Sequence, residues 1–370
     1  MLSAIKKTKT RKASDKQIVV AEISLPFSAS EFGKLLHAWY RQNARRLPWR
    51  GVEDPYAIWV SEVMLQQTRV ATVIDRYREF MQRFPTLKAL AEASEPEVLA
   101  LWSGLGYYRR ARMLLRGAQF VERVLHGKMP QTAAELLALP GVGAYTAAAI
   151  ASIAFGECVA VVDGNVERVL LRVLGLPEKR SSQANRALVN VAQALMPLSK
   201  RGGKNPEAKH NQAMMELGAT ICLPRSPLCE QCPVFGLCRT RGVHVTPQRA
   251  PQRSRDVAHL LAVRQRGGGS QVLLERRADD ASQMAGMLEL PVLQLEAVES
   301  REPVLGLRHS ITNTNFNVQI YSDSALLGEL TEAKARLKWV KAAKLYELPL
   351  TGLARKVLQR MEVMSIRKSL

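Results

Sequence analysis

Residues 139–155 read LPGVGAYTAAAIASIAF. Two apolar, helix-length stretches meet here at Pro140, Gly141 and Gly143, so the segment predicts two helices joined by a tight glycine turn. Such a turn exposes the backbone amides that open the second helix, and those amides bind phosphate without reading sequence. A glycine turn between helices is by itself only a turn. Its meaning depends on what surrounds it.

The surroundings favour a polyanion. The 370 residues carry a net charge of +20, with pI ≈ 10.1, spread along the chain. So large an excess points to nucleic acid, whose binding is driven by phosphate neutralisation. A hydrophobic content of 47% and a charged content of 23% are those of a soluble globular protein. The length suggests about two or three domains. No run of about 18 or more apolar residues exists, so no membrane span is expected. The start, MLSAIKKTKTRKASDK, has no apolar core of a secretory signal; residues 1–27 read as a basic arm. A cytoplasmic, nucleoid-associated location follows as an expectation, with thiols reduced.

From residue 28 to 240 the pattern is helical. SASE (28–31), SEPE (94–97) and TAAE (132–135) each fit a capping box, and Asp54-Pro55 suits an N-cap followed by proline in the first turn. Residues 59–74, WVSEVMLQQTRVATVI, read as one amphipathic helix with Glu62 two turns in, without a basic partner three or four positions away. Gln67 interrupts its apolar stripe. Residues 239–255 hold five arginines, two prolines and no acid, marking 241–255 as an exposed basic linker. Beyond it, DVAHLLAVRQ, QVLLERR and FNVQIYSD read as strands, Gly267–Gly269 as a turn, and TGLARKVLQRMEVM as a closing helix. The expected fold is an all-α domain (28–240) followed by a smaller α/β domain (256–370).

Two constellations carry chemistry. Cys222, Cys229, Cys232 and Cys238 lie within seventeen residues as C-x6-C-x2-C-x5-C. In a reducing compartment that spacing reads as a metal site, and zinc or a four-iron cluster would satisfy four thiolates equally. Cys158 stands apart and reads as a core residue. The second is a pair of carboxylates. Glu62, among apolar neighbours, is expected to have a raised pKa and remain protonated. Asp163, in VVDGNVERVL, ends an apolar run and either merely caps the next helix or serves as an ionised partner held by backbone hydrogen bonds. Cleaving an N-glycosidic bond needs one acid for the leaving base and one carboxylate facing the positive sugar.

SEVMLQQTRVATVI, LWSGLGYYRRARML, LPGVGAYTAAAI, VVDGNVERVL, HNQAMMELGATIC and the four-cysteine spacing together resemble the MutY family of adenine DNA glycosylases, in the helix-hairpin-helix base-excision superfamily. The resemblance implies a two-lobed helical domain, with the helix-hairpin-helix at 132–155 and a [4Fe-4S] cluster on the four cysteines of loop 222–238. It implies a substrate of duplex DNA with adenine opposite 8-oxoguanine or guanine, the adenine being flipped out of the stack. Glu62 would protonate the adenine and Asp163 would stabilise or capture the sugar cation, with Tyr145 and Asn165 in support. Arg45, Trp49, Leu65 and Gln212 would form the adenine pocket. Gln67 and Tyr107 would wedge into the duplex, while Gly141 and Gly143 would hold phosphate. The last domain resembles the family's Nudix-like 8-oxoguanine reader, but lacks the hydrolase signature that holds Mg²⁺. Its loop LRHSITNTNF (307–316) departs from the family's Phe-Ser-His, giving Ile311-Thr312-Asn313; Arg308 and Thr312 would still meet DNA.

Two rival readings exist. A glycosylase–lyase for oxidised pyrimidines would need a lysine amine where this chain has Tyr145, and a phenol cannot form the Schiff base. An iron–sulfur protein that only binds DNA or senses redox state would need neither Glu62 nor Asp163. A monofunctional, monomeric enzyme is the expectation.

Overall fold

A computed structural model of the chain describes residues 25–177, 182–197, 205–244, 253–281, 283–311, 313–330 and 334–364. Most of the basic arm, linker residues 245–252 and Thr312 lie outside the described residues.

The first part is helical: α1 (Ala29–Asn43), α2 (Pro55–Leu65), α3 (Val70–Arg83), α4 (Leu87–Ala91), α5 (Glu95–Leu101), α6 (Arg109–Val124), α7 (Ala133–Leu136), α8 (Ala144–Phe155), α9 (Gly164–Leu174), α10 (Ser182–Ala194) and α11 (Pro206–Thr220). Local chemistry sets several of the starts. Asp54 accepts from the Tyr56 amide ahead of Pro55. Thr132 and Glu135 form a reciprocal capping box. Ser28 makes the first half of such a box, a 3.5 Å bond from the Glu31 amide. Ser94 makes no side-chain cap bond, contrary to expectation. Its intended return partner, Glu97, pairs with Arg83 on α3 instead.

Residues 59–74 are not one helix. α2 ends at Leu65 and α3 begins at Val70, because Gln67 takes a left-handed conformation, φ +55°. Nor is α2 amphipathic. Tyr56 through Met64 are all buried, as expected of a helix enclosed on every side. Cys158 corrects a second expectation: it is exposed, in the extended run after α8 whose Ala160 and Val161 turn inward instead.

The helices pack around two cores. Trp59, Met64, Phe80, Trp102, Leu114 and Ile150 anchor the first, gathering α2 to α8. Phe32, Leu36, Leu170, Leu188 and Leu217 anchor the second, gathering α1 with α9 to α11. The two lobes meet along a cleft.

The C-terminal part has β1 (Arg253–Leu260), β2 (Val263–Gln265), β3 (Ser270–Arg276), β4 (Leu288–Glu289), β5 (Val292–Leu293), β6 (Leu305–Ile311), β7 (Thr314–Tyr321), β8 (Leu337–Lys341) and α12 (Gly352–Arg360). One sheet runs β5-β1-β7-β6, with β1 parallel to β7. The other joins β2, β4 and β8 through β3. DVAHLLAVRQ is therefore two strands in two sheets. The chain changes sheet at Leu261, whose amide bonds Tyr321, and Ala262, whose carbonyl accepts from Leu273. This part sits firmly on the first helical lobe. Met287 is fully buried in that lobe's core, and the Leu350 carbonyl accepts from Ser103 (3.3 Å) and Tyr108 (3.1 Å). Arg355 Nε donates to Ser103 Oγ at 2.6 Å.

Candidate active site

Glu62 is only 6% exposed, its backbone fixed by the buried α2. Burial raises its pKa, opposed by a hydrogen bond from the Tyr145 hydroxyl and by the charge of Arg50, and reinforced by the charge of Asp163. The Tyr145 hydroxyl also lies 3.6 Å from Met215 Sδ. Tyr145 reaches Glu62 because it stands in the first turn of α8, directly after the hairpin. That turn needs glycine. Gly141 has φ +78°, and a Cβ there would come within 2.4 Å of Met113 Cβ on α6.

Asp163 is the N-cap of α9. Its Oδ1 accepts from the amides of Asn165 (2.9 Å) and Val166 (2.7 Å), and its Oδ2 accepts from Asn165 Nδ2 (2.9 Å). Asn165 Oδ1 accepts in turn from Arg168 Nη2 at 2.8 Å. Gly218 lets α11 approach this start of α9 closely; a Cβ there would meet Asn165 Cβ at 2.7 Å. Capping fixes Asp163 while its carboxylate still borders the cleft. The two readings of Asp163 are compatible.

One cluster had no signal in the sequence. Glu216 on α11 has a side chain with no exposed surface. It accepts from Arg45 Nε (2.6 Å), Arg45 Nη2 (3.0 Å) and Arg50 Nη2 (2.9 Å). Arg50 also donates to the Tyr40 hydroxyl, which donates to Gln212 Oε1 at 3.1 Å. Burial alone would push Glu216 up, but the bonds and charges of Arg45 and Arg50 hold it below the ordinary carboxylate value. Its contribution to stability is therefore present above that value and is lost as pH falls through the depressed pKa. Glu216→Gln leaves two guanidinium groups short of their counter-charge, one of them part-exposed. An expected loss of about 2–3 kcal/mol should lower the melting temperature by roughly 5–10 °C in a circular-dichroism melt. An unchanged melt would show that the network does not hold the lobes together.

The cleft between the lobes brings together Arg45, Trp49, Glu62, Leu65, Gln67, Gly141, Gly143, Tyr145, Asp163, Asn165 and Gln212. Trp49 is nearly buried and set edge-on to Tyr77, ring centroids 5.4 Å apart. Arg50, Gln66, Met215 and Glu216 join this lining without having been anticipated. Gln66 donates to the buried Thr146 hydroxyl at 3.2 Å, tying α2 to α8. Tyr107 does not line the cleft; it is 49% exposed on the loop before α6. Arg308 lies exposed on β6, away from the cleft, and Thr312 lies outside the described residues.

Cys222, Cys229, Cys232 and Cys238 border one small pocket with Val169, Leu217 and Val234. Buried Arg172 braces the loop, donating to Cys222 Sγ (3.4 Å) and to the carbonyls of Leu223 (2.7 Å) and Pro224 (2.9 Å). The four thiols border one shared space, which a polynuclear cluster would fill. Burial pushes the Cys232 thiol up to about 11, so a thiolate there needs the cationic partner that iron supplies. The residues fit a [4Fe-4S] cluster, which when bound would tie α9, α11 and the following loop together.

Residues 60–193 match the family model for HhH-GPD superfamily base excision DNA repair proteins, and residues 222–238 match the iron–sulfur binding domain of endonuclease III. The human adenine DNA glycosylase is 53% identical over 219 residues, 56% of this chain and 39% of that protein. The mouse adenine DNA glycosylase is 41% identical over 326 residues, 73% of this chain and 62% of that one. The chain thus spans less than two thirds of the length of these curated relatives. A solved thermostable thymine-DNA glycosylase matches with a TM-score of 0.51 and 30% identity, covering 58% of this chain and 96% of that one. Residues 60–193 thus carry an HhH-GPD superfamily base excision DNA repair domain, and the curated proteins the chain resembles are adenine DNA glycosylases.

Proposed function

We propose that this protein flips adenine out of duplex DNA and hydrolyses its N-glycosidic bond, acting on adenine opposite 8-oxoguanine or guanine. The observation that carries this reading is the pairing of Glu62 and Asp163 on one cleft in opposed environments. Glu62 is buried, which raises its pKa and favours the acid form whose proton can pass to the departing adenine. Asp163 is held by two amides and an amide side chain, so its carboxylate is aimed at the sugar without freedom to turn away. Tyr145 holds Glu62 by its hydroxyl. Arg45, Trp49, Leu65 and Gln212 supply walls for the extruded base, consistent with what the relatives' names say they act on.

The same geometry supports hydrolysis alone, and the reading includes a monomeric protein. Tyr145 occupies the first turn after the hairpin, and its phenol cannot form the imine that strand cleavage requires. The C-terminal part, read as a Nudix-like domain from 256 to 370 after the linker 241–255, would read the opposite base through the β6–β7 hairpin with Arg308 and Thr312. Its seating on the first lobe, through Met287 and Leu350, supports that reading by fixing the hairpin relative to the cleft.

Single-turnover assays on a duplex with adenine opposite 8-oxoguanine should give base loss with intact strands until alkali is added. Immediate scission would favour the lyase reading. Equal rates opposite thymine and opposite 8-oxoguanine would overturn the proposed opposite-base reading.

A further inference from the structure

Gln67 and Tyr107, the two residues read as duplex wedges, share a rare backbone. Gln67 has φ +55° and Tyr107 φ +47°, left-handed conformations that side chains other than glycine adopt only where the surroundings fix them. Both are exposed, so their own side chains do not supply the restraint.

A single guanidinium braces both loops. Arg110 Nη1 donates to the carbonyls of Val63 (2.6 Å) and Met64 (3.1 Å), in the last turn of α2 before Gln67. Its Nη2 donates to the carbonyls of Leu105 (2.9 Å) and Gly106 (3.2 Å), the two residues before Tyr107. The same nitrogen reaches the hydroxyl of Thr68, the residue after Gln67, at 3.1 Å. The Tyr107 ring lies over the guanidinium, 5.6 Å from Cζ to centroid. Thr68 closes the link by donating to Leu105 at 3.2 Å. Burial lowers the pKa of Arg110 only to about 10, so the fork keeps its charge at neutral pH.

We infer that Arg110 is a positioning residue for base extrusion, holding Gln67 and Tyr107 in register so that they enter the duplex as one rigid unit. The inference rests on the proposed extrusion of adenine and on the family resemblance that makes those two residues the wedge. Its physical basis is preorganisation: a wedge already fixed in shape does not lose conformational freedom when it displaces a base. Lysine cannot substitute, because four carbonyls and a hydroxyl are reached here by a planar fork, which a point ammonium lacks.

The test is a double-mutant cycle on the full chain with its cluster, bound to a duplex with 2-aminopurine at the target position opposite guanine. Fluorescence of the unstacked base reads the extruded fraction. In the parent chain, Gln67→Ala and Tyr107→Ala should each lower extrusion about tenfold, as should Arg110→Lys. In the Arg110→Lys background, either alanine should cost less than about twofold more, since a misaligned wedge has little left to lose. Fully multiplicative losses would show that Arg110 acts independently of the wedge, and a lowered melting temperature or cluster absorbance that it only supports the fold; either would overturn the inference. If neither alanine variant changes extrusion in the parent chain, the wedge reading itself fails. Should Arg110→Lys not fold, Thr68→Val removes the hydroxyl link between the two loops, and the same cycle decides the question.

Discussion

Glu62→Gln is expected to slow adenine release in a single turnover by roughly 10²–10⁴-fold, the usual worth of a positioned general acid. The amide can still accept the Tyr145 hydroxyl's hydrogen bond but has no proton to give. Stability should move the other way. Burial raises the Glu62 pKa, so the folded state favours the protonated form. The stability it contributes is complete below the ordinary value near 4.5 and is lost as pH rises through the raised folded value. Glutamine is neutral throughout, so the variant should melt no lower than the parent at neutral pH, and relatively higher as pH increases. The parent's rate should fall as pH rises through the same raised pKa, because the acid form is consumed. Near-normal base release by Glu62→Gln would remove Glu62 from the chemistry. A Glu62→Gln variant that melts lower than the parent at high pH would remove the buried neutral carboxyl.

What could be read in advance was what neighbouring residues determine. The hairpin announced itself because Gly141, whose backbone is left-handed, stands with Pro140 and Gly143 between two apolar stretches, and the four cysteines because their loop is short. Asp54-Pro55 and Thr132-Glu135 are capping signals complete in themselves. Glu62 stood out as a carboxylate with no local partner, and its actual partner is 83 residues away. Features set by distant contacts stayed hidden. The break after Leu65 contains neither glycine nor proline; it is imposed by Arg110 and Thr68. Arg50 and Glu216 are 166 residues apart, and neither has a pattern that would pair them. Ser94 had the right partner at the right spacing, but Arg83 claimed Glu97. Cys158 had an apolar setting in sequence and faces outward, because an extended run buries only some of its side chains. The change of sheet at Leu261 and Ala262 depends on Tyr321 and Leu273, which no window around that strand contains.

Asp163→Asn separates the two roles that one residue fills. As an N-cap, asparagine is as good as aspartate and can still accept from the Asn165 and Val166 amides. The new Nδ2 would face Asn165 Nδ2 and lose the bond that Oδ2 accepts, so stability should fall by about 1 kcal/mol, a shift of roughly 2–4 °C in melting temperature. What the substitution removes is the negative charge facing the cleft. If that charge stabilises the positive sugar as the base departs, single-turnover release should fall roughly 10²–10³-fold, as when a preorganised electrostatic group is deleted from an active site. A pure cap would leave the rate unchanged, and that outcome would reduce Asp163 to a structural residue. A loss of rate together with a large loss of stability would point to disruption of the Asn165–Arg168 chain behind it instead. The double variant with Glu62→Gln adds a further check. Protonation of the leaving base and stabilisation of the sugar belong to one transition state, so their combined loss should fall short of the product of the single losses. Multiplicative losses would place the two carboxylates in separate steps.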